Sequence, residues 1–255
     1  IIDEPLEDFY VNFSSPVNAT MGASSALVRI VDDDLMPTIT INDVSLTEGN
    51  SGSVGMQFTI SLSAPSGYTV TVQYATAPGT AMPGSDYQSV GTITGFSPGV
   101  TSATVMVPIM GDLIDEFDET FTVVLSAPAN AAIADPSGLG TILDNDDPPS
   151  VSVNDSSTSE GTGGSKNLTF TVALSLASGK PVSVNYATSN GSAIAGFDYT
   201  ALSGTLTFTP GATSQPLNVA LNTDSLDEDN ETFQMTLSAP VNAILGDSSG
   251  TGTIT

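Results

Sequence analysis

Histidine, cysteine and tryptophan are absent from this 255-residue sequence, and three basic residues, Arg29, Lys166 and Lys180, stand against 28 acidic ones. Without His or Cys the chain cannot build a zinc finger, a thiolate nucleophile, a Ser-His-Asp triad or a disulfide framework. A net charge of −25 argues against nucleic-acid binding and against attachment to anionic lipid, because few cations are left to meet phosphates. No apolar run approaches the roughly 18 residues of a membrane-spanning helix, and no signal sequence stands at the amino end, so we expect no direct membrane insertion.

An internal repeat organises the chain. Aligning residues 32–143 with residues 144–255 gives about 50 identities, far more than chance allows, and such self-similarity is typical of tandem modules. The same offset carries Glu4 onto Glu116, so the sequence begins within a repeat. We therefore predict the C-terminal part of one repeat over 1–36, a complete repeat over 37–147, and a third repeat over 148–255 that lacks the terminal acidic segment.

Within each repeat, apolar and polar residues alternate with a period of two, which indicates strands with one buried face. The runs of the complete repeat begin at Met56, Val70, Val105 and Phe121, and Gly and Pro separate them. About seven such strands in roughly 110 residues predict an all-β fold of tandem immunoglobulin-like, seven-stranded antiparallel β-sandwiches. When residues 91–96 are matched by pattern to residues 204–208 of the next repeat, Gly95 has no counterpart. This additional glycine within a strand predicts a β-bulge.

The acidic residues lie between the strands rather than along their outward faces. Asp86, Asp112 and Asp144 each follow a predicted strand, and the alternating strand directions of a sandwich can bring such ends to one pole. Carboxylates within about 4 Å of one another would repel by roughly 4 kcal/mol per pair at an effective dielectric near 20. A bound cation resolves that repulsion. The available donors are all oxygens, which favours Ca²⁺ over Mg²⁺, zinc or copper.

Several motifs together resemble the Calx-beta domain, a family first described in sodium-calcium exchangers and common in bacterial surface proteins. The resemblance covers essentially the whole chain. It rests on 47–49 (Thr-Glu-Gly), 74–76 (Tyr-Ala-Thr), 84–87 (Gly-Ser-Asp-Tyr), 96–99 (Phe-Ser-Pro-Gly), 112–121 and 144–146. It implies a seven-stranded sandwich that holds Ca²⁺ in loops at one end.

The resemblance also implies a set of metal ligands in each repeat. In the complete repeat these are Glu48, Asp86, Asp112, the Ile114 carbonyl, Glu116, Glu119, Asp144 and Asp146. In the third repeat they are Glu160, Asp198, Asp224, the Leu226 carbonyl, Glu228 and Glu231. In the first they are the Ile2 carbonyl, Glu4, Glu7, Asp32 and Asp34. Gly111 and Thr223 stand where the exchanger pattern has a further acid, so we expect fewer ions per repeat than in the exchanger.

Four functions remain open at this stage. The leading hypothesis is a calcium-stiffened structural spacer in a large extracellular or cell-surface adhesin or filament, of bacterial origin, with no enzymatic activity. The second is a calcium-sensing regulatory module. The third is action on polysaccharides, with Asp86 and Glu116 as a nominal carboxylate pair; the fourth is that these acids are only solvated loop charges. The expected partners are calcium ions, adjacent repeats and other copies of the chain, which could pair with the open strand edges of the partial first repeat.

Overall fold

The computed structural model describes residues 2–255, and its regular structure consists of strands alone. Contacts divide these residues into two compact units. The first contains the described residues up to Gly111 together with Asp118–Leu143, and the second contains Asp112–Phe117 and Asp144–Thr255. By its contacts, therefore, the short segment 112–117 belongs with the third repeat, although it falls in the complete repeat by sequence.

The first unit contains eleven strands. They are β1 (Glu7–Asn12), β2 (Ser25–Ile30), β3 (Thr38–Ile41), β4 (Val44–Thr47), β5 (Ser53–Leu62), β6 (Val70–Pro78), β7 (Gly91–Phe96), β8 (Ser102–Met110), β9 (Glu119–Ala129), β10 (Ala132–Ile133) and β11 (Ser137–Leu143). Strands β1 and β2 form a separate antiparallel hairpin, and the others form two sheets, in the orders β10-β3-β5-β8 and β4-β11-β9-β6-β7.

One apolar core joins those two larger sheets of the first unit. The alternation within β5 buries Met56, Phe58 and Ile60, and each of these side chains is fully inaccessible to solvent. From the other sheet, Phe121 of β9 packs edge-on against Phe58, with ring centroids 6.0 Å apart. Tyr87, from the loop that follows β6, stacks on Phe121 at 4.5 Å. The predicted sandwich is therefore confirmed, and its core consists of the residues that alternate inward.

The second unit repeats this arrangement. Its strands are β12 (Ser150–Val153), β13 (Ser156–Thr158), β14 (Lys166–Leu174), β15 (Val182–Asn190), β16 (Ser203–Phe208), β17 (Ser214–Leu221), β18 (Glu231–Val241), β19 (Ile244–Leu245) and β20 (Ser249–Ile254). The sheet orders are β17-β14-β12-β19 and β13-β20-β18-β15-β16. Tyr199 stacks on Phe233 at 4.3 Å, and Phe170 meets Phe233 edge-on at 5.8 Å.

Each sandwich has nine strand segments instead of the predicted seven, because its first strand breaks and changes sheets. Asn42 and Asp43 mark the break in the first unit. The Asn42 side chain accepts a hydrogen bond from the Thr59 amide at 2.6 Å, and the Asp43 carboxylate accepts one from the Leu139 amide at 2.7 Å. As a result β3 pairs antiparallel with β5, whereas β4 pairs parallel with β11. The short segment β10, parallel to β3, adds the ninth.

The β-bulge predicted at Gly95 is wrong. The register between β6 and β7 is continuous from Val70 opposite Phe96 to Ala75 opposite Gly91. The corresponding strands of the second unit keep the same register, so the offset between the repeats holds through this region without a slip. Ile93 consequently points outward and is 59% exposed. The only register shifts recorded in residues 2–255 lie where β6 meets β9 and where β15 meets β18.

Candidate metal centres

Three carboxylates of the second unit converge on one point. Asp198 lies in the loop between β15 and β16, Glu228 lies in the loop before β18, and Glu231 is the first residue of β18. One carboxylate oxygen from each of the three lies within 4.8 Å of the others. The loop around Asp198 is held in a tight turn, because the Ile194 amide donates a 2.6 Å hydrogen bond to the Asp198 carboxylate. The position of this acid is therefore fixed by the backbone.

The convergence perturbs the protonation of both glutamates. Burial raises the pKa of Glu231, and the hydrogen bond to Asp198 and the negative charges of Asp198, Glu228 and Glu160 raise it further. Burial also raises the pKa of Glu228, helped by the charges of Asp224, Glu160 and Asp198. Both shifts mean that the neutral form of each carboxyl group is favoured more than in an isolated glutamate.

Two further predicted ligands stand beside this cluster. The Glu160 carboxylate accepts a hydrogen bond from the Asp224 amide at 3.3 Å, and the Asp224 carboxylate accepts one from the Leu226 amide at 2.7 Å. A cleft of about 220 Å³ is lined by Glu160, Leu226 and the three converging carboxylates. The structure thus brings together the ligand set predicted for the third repeat, with Asp224 tied to both Glu160 and Leu226.

The first unit reproduces part of this arrangement at the equivalent positions of the preceding repeat. A carboxylate oxygen of Asp86 lies within 4.8 Å of one of Glu119, the first residue of β9. The Met82 amide donates a 2.6 Å hydrogen bond to the Asp86 carboxylate, which is the same turn that fixes Asp198. Glu48, which follows β4, is buried with only 7% of its surface exposed, and its amide donates to the Leu143 carbonyl at 3.2 Å.

A second acidic cluster of the second unit contains a lysine. Asp144 and Asp146 approach each other within 4.8 Å, and the Lys180 ammonium contacts the Asp115 carboxylate at 2.5 Å and the Asp144 carboxylate at 3.5 Å. Asp115 is almost completely buried, and its second carboxylate oxygen has no hydrogen-bond partner among residues 2–255. Asp112 lies nearby, with its carboxylate accepting the Ile114 amide at 2.7 Å.

The pKa shifts of this cluster reflect the balance between burial and charge. Burial raises the pKa of Asp146, and the charges of Asp144, Asp112 and Asp115 raise it further. For Lys180, burial works in the opposite direction and would lower the pKa, but the hydrogen bond to Asp115 and the charges of Asp115 and Asp144 outweigh it, so the pKa is raised. The ammonium therefore stays charged and supplies one internal positive charge.

The backbone of Asp115 is also held by hydrogen bonds. The Gly179 amide and the Ser178 hydroxyl both donate to the Asp115 carbonyl, at 3.0 and 3.1 Å, and the Lys180 ammonium lies 5.3 Å from the centre of the Phe117 ring. Sequence reasoning left both Asp115 and Lys180 out of the ligand set. The sequence offered one signal for Lys180, because it is one of only three basic residues.

The partial first repeat shows a related but different arrangement. The Ile2 amide donates to the Asp34 carboxylate at 3.0 Å, and the Glu4 amide donates to Asp32 at 3.1 Å. A cleft of about 190 Å³ is lined by Glu4, Glu7, Asp32 and Asp34, among others. Here Tyr68 occupies the position that corresponds to Lys180, and its hydroxyl donates to the Glu4 carbonyl at 3.2 Å.

The donor chemistry of these clusters fits a hard divalent cation. Carboxylate and carbonyl oxygens are the ligands that Ca²⁺ accepts, six to eight at a time and in flexible geometry. The described residues offer neither imidazole nor thiolate, since the sequence has no His or Cys, so the usual ligands of zinc and copper are missing. In the third-repeat cluster the closeness of the carboxylates also contributes to the raised pKa values of Glu228 and Glu231.

Comparison with known proteins identifies the family of this chain. The family model described as the Calx-beta domain matches residues 32–143 and again residues 144–252, together well over half of the chain. The chain belongs to the Calx-beta family. The two matched stretches follow each other directly, so the chain contains Calx-beta domains in tandem.

The relatives found by sequence are animal proteins. Extracellular matrix protein 3 of Lytechinus variegatus is 33% identical over 159 residues, which is 59% of this chain and 5% of that protein. FRAS1-related extracellular matrix protein 2 of Homo sapiens is 29% identical over 271 residues, which is 96% of this chain and 8% of that protein. The chain thus spans less than a tenth of either relative, and neither supports the expected bacterial origin.

Solved structures similar to the chain include a crystal structure of CBD12 from CALX1.2. It is 20% identical, covers 83% of this chain and 83% of that chain, and gives a TM-score of 0.42. The calcium binding domain CBD12 of CALX1.1 is 22% identical, covers 79% of each chain, and gives a TM-score of 0.41.

No helix in residues 2–255 is long and apolar enough to cross a membrane.

Proposed function

We propose that this chain is a non-enzymatic, calcium-binding repeat region of a large extracellular protein. The observation that carries the proposal is the convergence of Asp198, Glu228 and Glu231 within 4.8 Å. Three carboxylates at such distances repel one another strongly unless a cation lies among them. Ca²⁺ is the ion that an all-oxygen donor set accepts most readily, and we propose that Glu160, Asp224 and the Leu226 carbonyl complete its coordination.

The repeat extends the same proposal to the other modules. Positions 86, 116 and 119 of the complete repeat align with Asp198, Glu228 and Glu231 of the third, and they are Asp, Glu and Glu again. We propose that these three, with Glu48, Asp112, Asp144, Asp146 and the Ile114 carbonyl, bind calcium in the complete repeat. The Ile2 carbonyl, Glu4, Glu7, Asp32 and Asp34 are the candidates in the partial first repeat.

The proposed biological role is a structural spacer. Two relatives are named as extracellular matrix proteins, which supports an extracellular location for this chain. The acidic linkers that end at Pro37 and at Pro149 have restricted backbones, since proline fixes its own φ angle. Calcium bound beside such linkers would limit their motion further, and extracellular modules bind Ca²⁺ at about 10⁻⁴ to 10⁻³ M, so that millimolar calcium keeps them filled.

Chelation tests the spacer directly. The full chain is compared in millimolar CaCl₂ and in EDTA, by its melting temperature and by its maximum dimension from small-angle X-ray scattering. We expect calcium to raise the melting temperature and to narrow the distribution of dimensions. Equal melting temperatures and equal scattering curves in the two buffers would contradict the proposal.

A calcium sensor is the alternative role for the same sites, and affinity separates the two. Micromolar dissociation constants suit a regulatory sensor, whereas values near the millimolar range suit a filled structural site. Catalysis is not part of the proposal, because the same acids recur at the same position of each repeat, as a repeated structural site requires. Hydrolysis of a polysaccharide that is abolished by Glu116→Gln would reverse this view.

A further inference from the structure

The outer face of the five-stranded sheet in the first unit carries no charged side chain. At the outward positions of β6, β7, β9 and β11, which alternate with the buried ones, the sequence places no Asp, Glu, Lys or Arg. Three of these positions hold large apolar residues, and Ile93, Val124 and Leu139 are 59%, 38% and 42% exposed. In a chain with 28 acidic residues, a sheet face of this kind is a candidate contact surface.

The third repeat builds the same sheet without these apolar residues. Each of the three is a threonine there, and the counterparts by the repeat offset are Thr205, Thr236 and Thr251. The strand order of the two sheets is nevertheless the same. The Thr205 hydroxyl donates to the Asn185 side chain at 2.7 Å, so polar side chains bond to one another on that face. The fold therefore does not require the apolar residues of the complete repeat.

Strand β7 is an edge of this sheet and lacks the features that usually protect an edge. It is the last strand in the sheet order, its six residues include no charged residue and no proline, and its register with β6 is continuous. Strand β8, an edge of the other sheet, is different, because it contains Pro108, whose carbonyl accepts a hydrogen bond from the Gln88 amide at 2.9 Å. A flat and uncharged edge is a template for pairing with another strand.

Alternate residues of β7 direct their backbone groups to the open side. The Thr76 amide of β6 donates to the Val90 carbonyl at 2.9 Å. Because hydrogen-bonded and non-hydrogen-bonded pairs alternate along an antiparallel ladder, every second residue counted from Val90 bonds to β6. The amides and carbonyls of Gly91, Ile93 and Gly95 therefore face away from β6, and they bond to no other part of residues 2–255. These three residues form the open edge of β7.

We propose that two copies of this chain associate through β7, paired antiparallel about a two-fold axis at Ile93. This register places Ile93 opposite Ile93 of the second copy and Gly91 opposite Gly95, so that the edge-facing amides of one copy meet the edge-facing carbonyls of the other. On the outer face the two isoleucine side chains become cross-strand neighbours, with Cβ atoms about 5 Å apart, and the glycines on either side leave room for them. The two five-stranded sheets then form one continuous sheet.

The distribution of charge favours a second copy in this orientation. Asp86 and Glu119 lie at the end of the sheet where β7 and β9 both begin, and antiparallel pairing places these acids of the two copies at opposite ends of the joined sheet. A basic partner would find no acidic group on β7 or on the outer face, whereas an identical uncharged edge needs none. The net charge of −25 still opposes association, and salt should strengthen the dimer because it screens that repulsion.

A single strand edge supports only a weak dimer. The six residues of β7 span about 20 Å, and pairing along that length buries less than the roughly 1,200 Å² of a stable complex. We therefore expect a dissociation constant on the order of 10⁻⁴ M. The dimer should be the same in CaCl₂ and in EDTA, since no carboxylate lies in the pairing, so this result is separable from the test of calcium binding.

Sedimentation equilibrium of the full chain from about 10 μM to about 1 mM, at low and at high NaCl concentration, tests the proposal. Ile93→Lys should weaken the dimer about tenfold or more, because it places two like charges opposite each other at the two-fold axis. Thr205→Lys makes the same change of charge at the equivalent position of β16, and this matched control should leave the dimer unchanged. As the dimer forms, hydrogen exchange should slow at the Ile93 and Gly95 amides and stay constant at Thr94.

Three results would overturn the proposal. One is a monomer at every concentration and at both salt concentrations, which would leave the edge of β7 to a different protein. Another is a dimer that Ile93→Lys does not weaken, because the contact would then lie elsewhere. The third is equal weakening by the two lysine variants, which would indicate an effect of charge alone. Both replaced side chains are exposed, and an unchanged near-ultraviolet spectrum verifies that each variant keeps the fold.

Discussion

The two acidic clusters of the second unit differ in one side chain. Around Asp115, Asp144 and Asp146 the chain places Lys180, whose ammonium contacts two of the carboxylates. No basic side chain of residues 2–255 forms an ion pair with Asp198, Glu228 or Glu231, and the pKa values of both glutamates are raised. The first cluster is therefore partly neutralised by the protein itself, whereas no ion pair within residues 2–255 neutralises the second.

This difference predicts unequal responses to calcium from clusters built of the same residue types. A carboxylate cluster with an internal ammonium retains some stability when metal is removed. Because the lysine already neutralises part of the negative charge, the cluster also attracts an added cation less strongly. Counting acids is thus a poor guide to calcium dependence. The position of three basic residues among 28 acidic ones matters more.

The largest expected effect comes from removing the internal cation. Lys180→Gln in EDTA should lower the free energy of unfolding of the second unit by about 3 kcal/mol, because it leaves the buried Asp115 carboxylate uncompensated. Calcium should recover part of that loss. The measurement is denaturant unfolding, with Lys166→Gln as the control, since the Lys166 ammonium forms no ion pair among residues 2–255 and donates to the exposed Ser159 hydroxyl at 2.7 Å. Equal losses for the two variants would remove the special role of Lys180.

Calcium addition should next distinguish the two clusters in the unmodified chain. At about a hundredfold excess over the dissociation constant, one ion adds about 2.7 kcal/mol to the stability of the state that binds it. We expect hydrogen exchange to slow most at the start of β18, beside Glu231, and less at 178–180. A uniform change along the second unit would argue that calcium acts nonspecifically.

Neutralising the lysine-free cluster should produce opposite effects in the two buffers. The double variant Asp198→Asn with Glu231→Gln removes like-charge repulsion, so in EDTA it should be at least as stable as the unmodified chain. In calcium it should lose most of the gain from the ion, about 2 kcal/mol. Melting curves in both buffers measure this, and Asp86→Asn with Glu119→Gln tests the equivalent positions of the first unit. Destabilisation of the same size in EDTA and in calcium would indicate damage to the fold instead.

The smallest effect concerns the tyrosine that follows each of Asp86 and Asp198. The Tyr199 hydroxyl donates to the Asn190 side chain at 2.8 Å, whereas the buried Tyr87 hydroxyl has no hydrogen-bond partner in residues 2–255. Pro78 stands where the third repeat has Asn190. Tyr199→Phe should therefore cost about 1 kcal/mol, and Tyr87→Phe should be neutral or stabilising. Denaturant unfolding of the pair checks the difference, and equal costs would contradict it.

Much of the fold was predictable, because the alternation of apolar and polar residues and the internal repeat both indicate which positions lie in the core. Phe58, Phe121 and Val123 are buried as their spacing requires. The break at Asn42 and Asp43 was not predictable, since it depends on hydrogen bonds to Thr59 and Leu139, residues distant in sequence. Gly95 misled the prediction because residues were matched by pattern, whereas strand pairing is set by the neighbouring strand.

The candidate site was predictable in part for a similar reason. Loop acids at equal positions of successive repeats indicated where carboxylates converge, and Asp198, Glu228 and Glu231 do converge. The role of Lys180 was not predictable, because it comes from a turn 65 residues after Asp115 in sequence. Only the fold brings that ammonium to the acids. Whether each gathered residue binds a metal stays a prediction.

The most direct test of calcium binding is isothermal titration calorimetry of the full chain against its triple variant Asp198→Asn, Glu228→Gln, Glu231→Gln. The unmodified chain should bind Ca²⁺ with dissociation constants of about 10⁻⁴ to 10⁻³ M. The variant should lose at least one site and keep the remainder. Identical isotherms for the two proteins, or no calcium heat from the unmodified chain at these concentrations, would contradict the account.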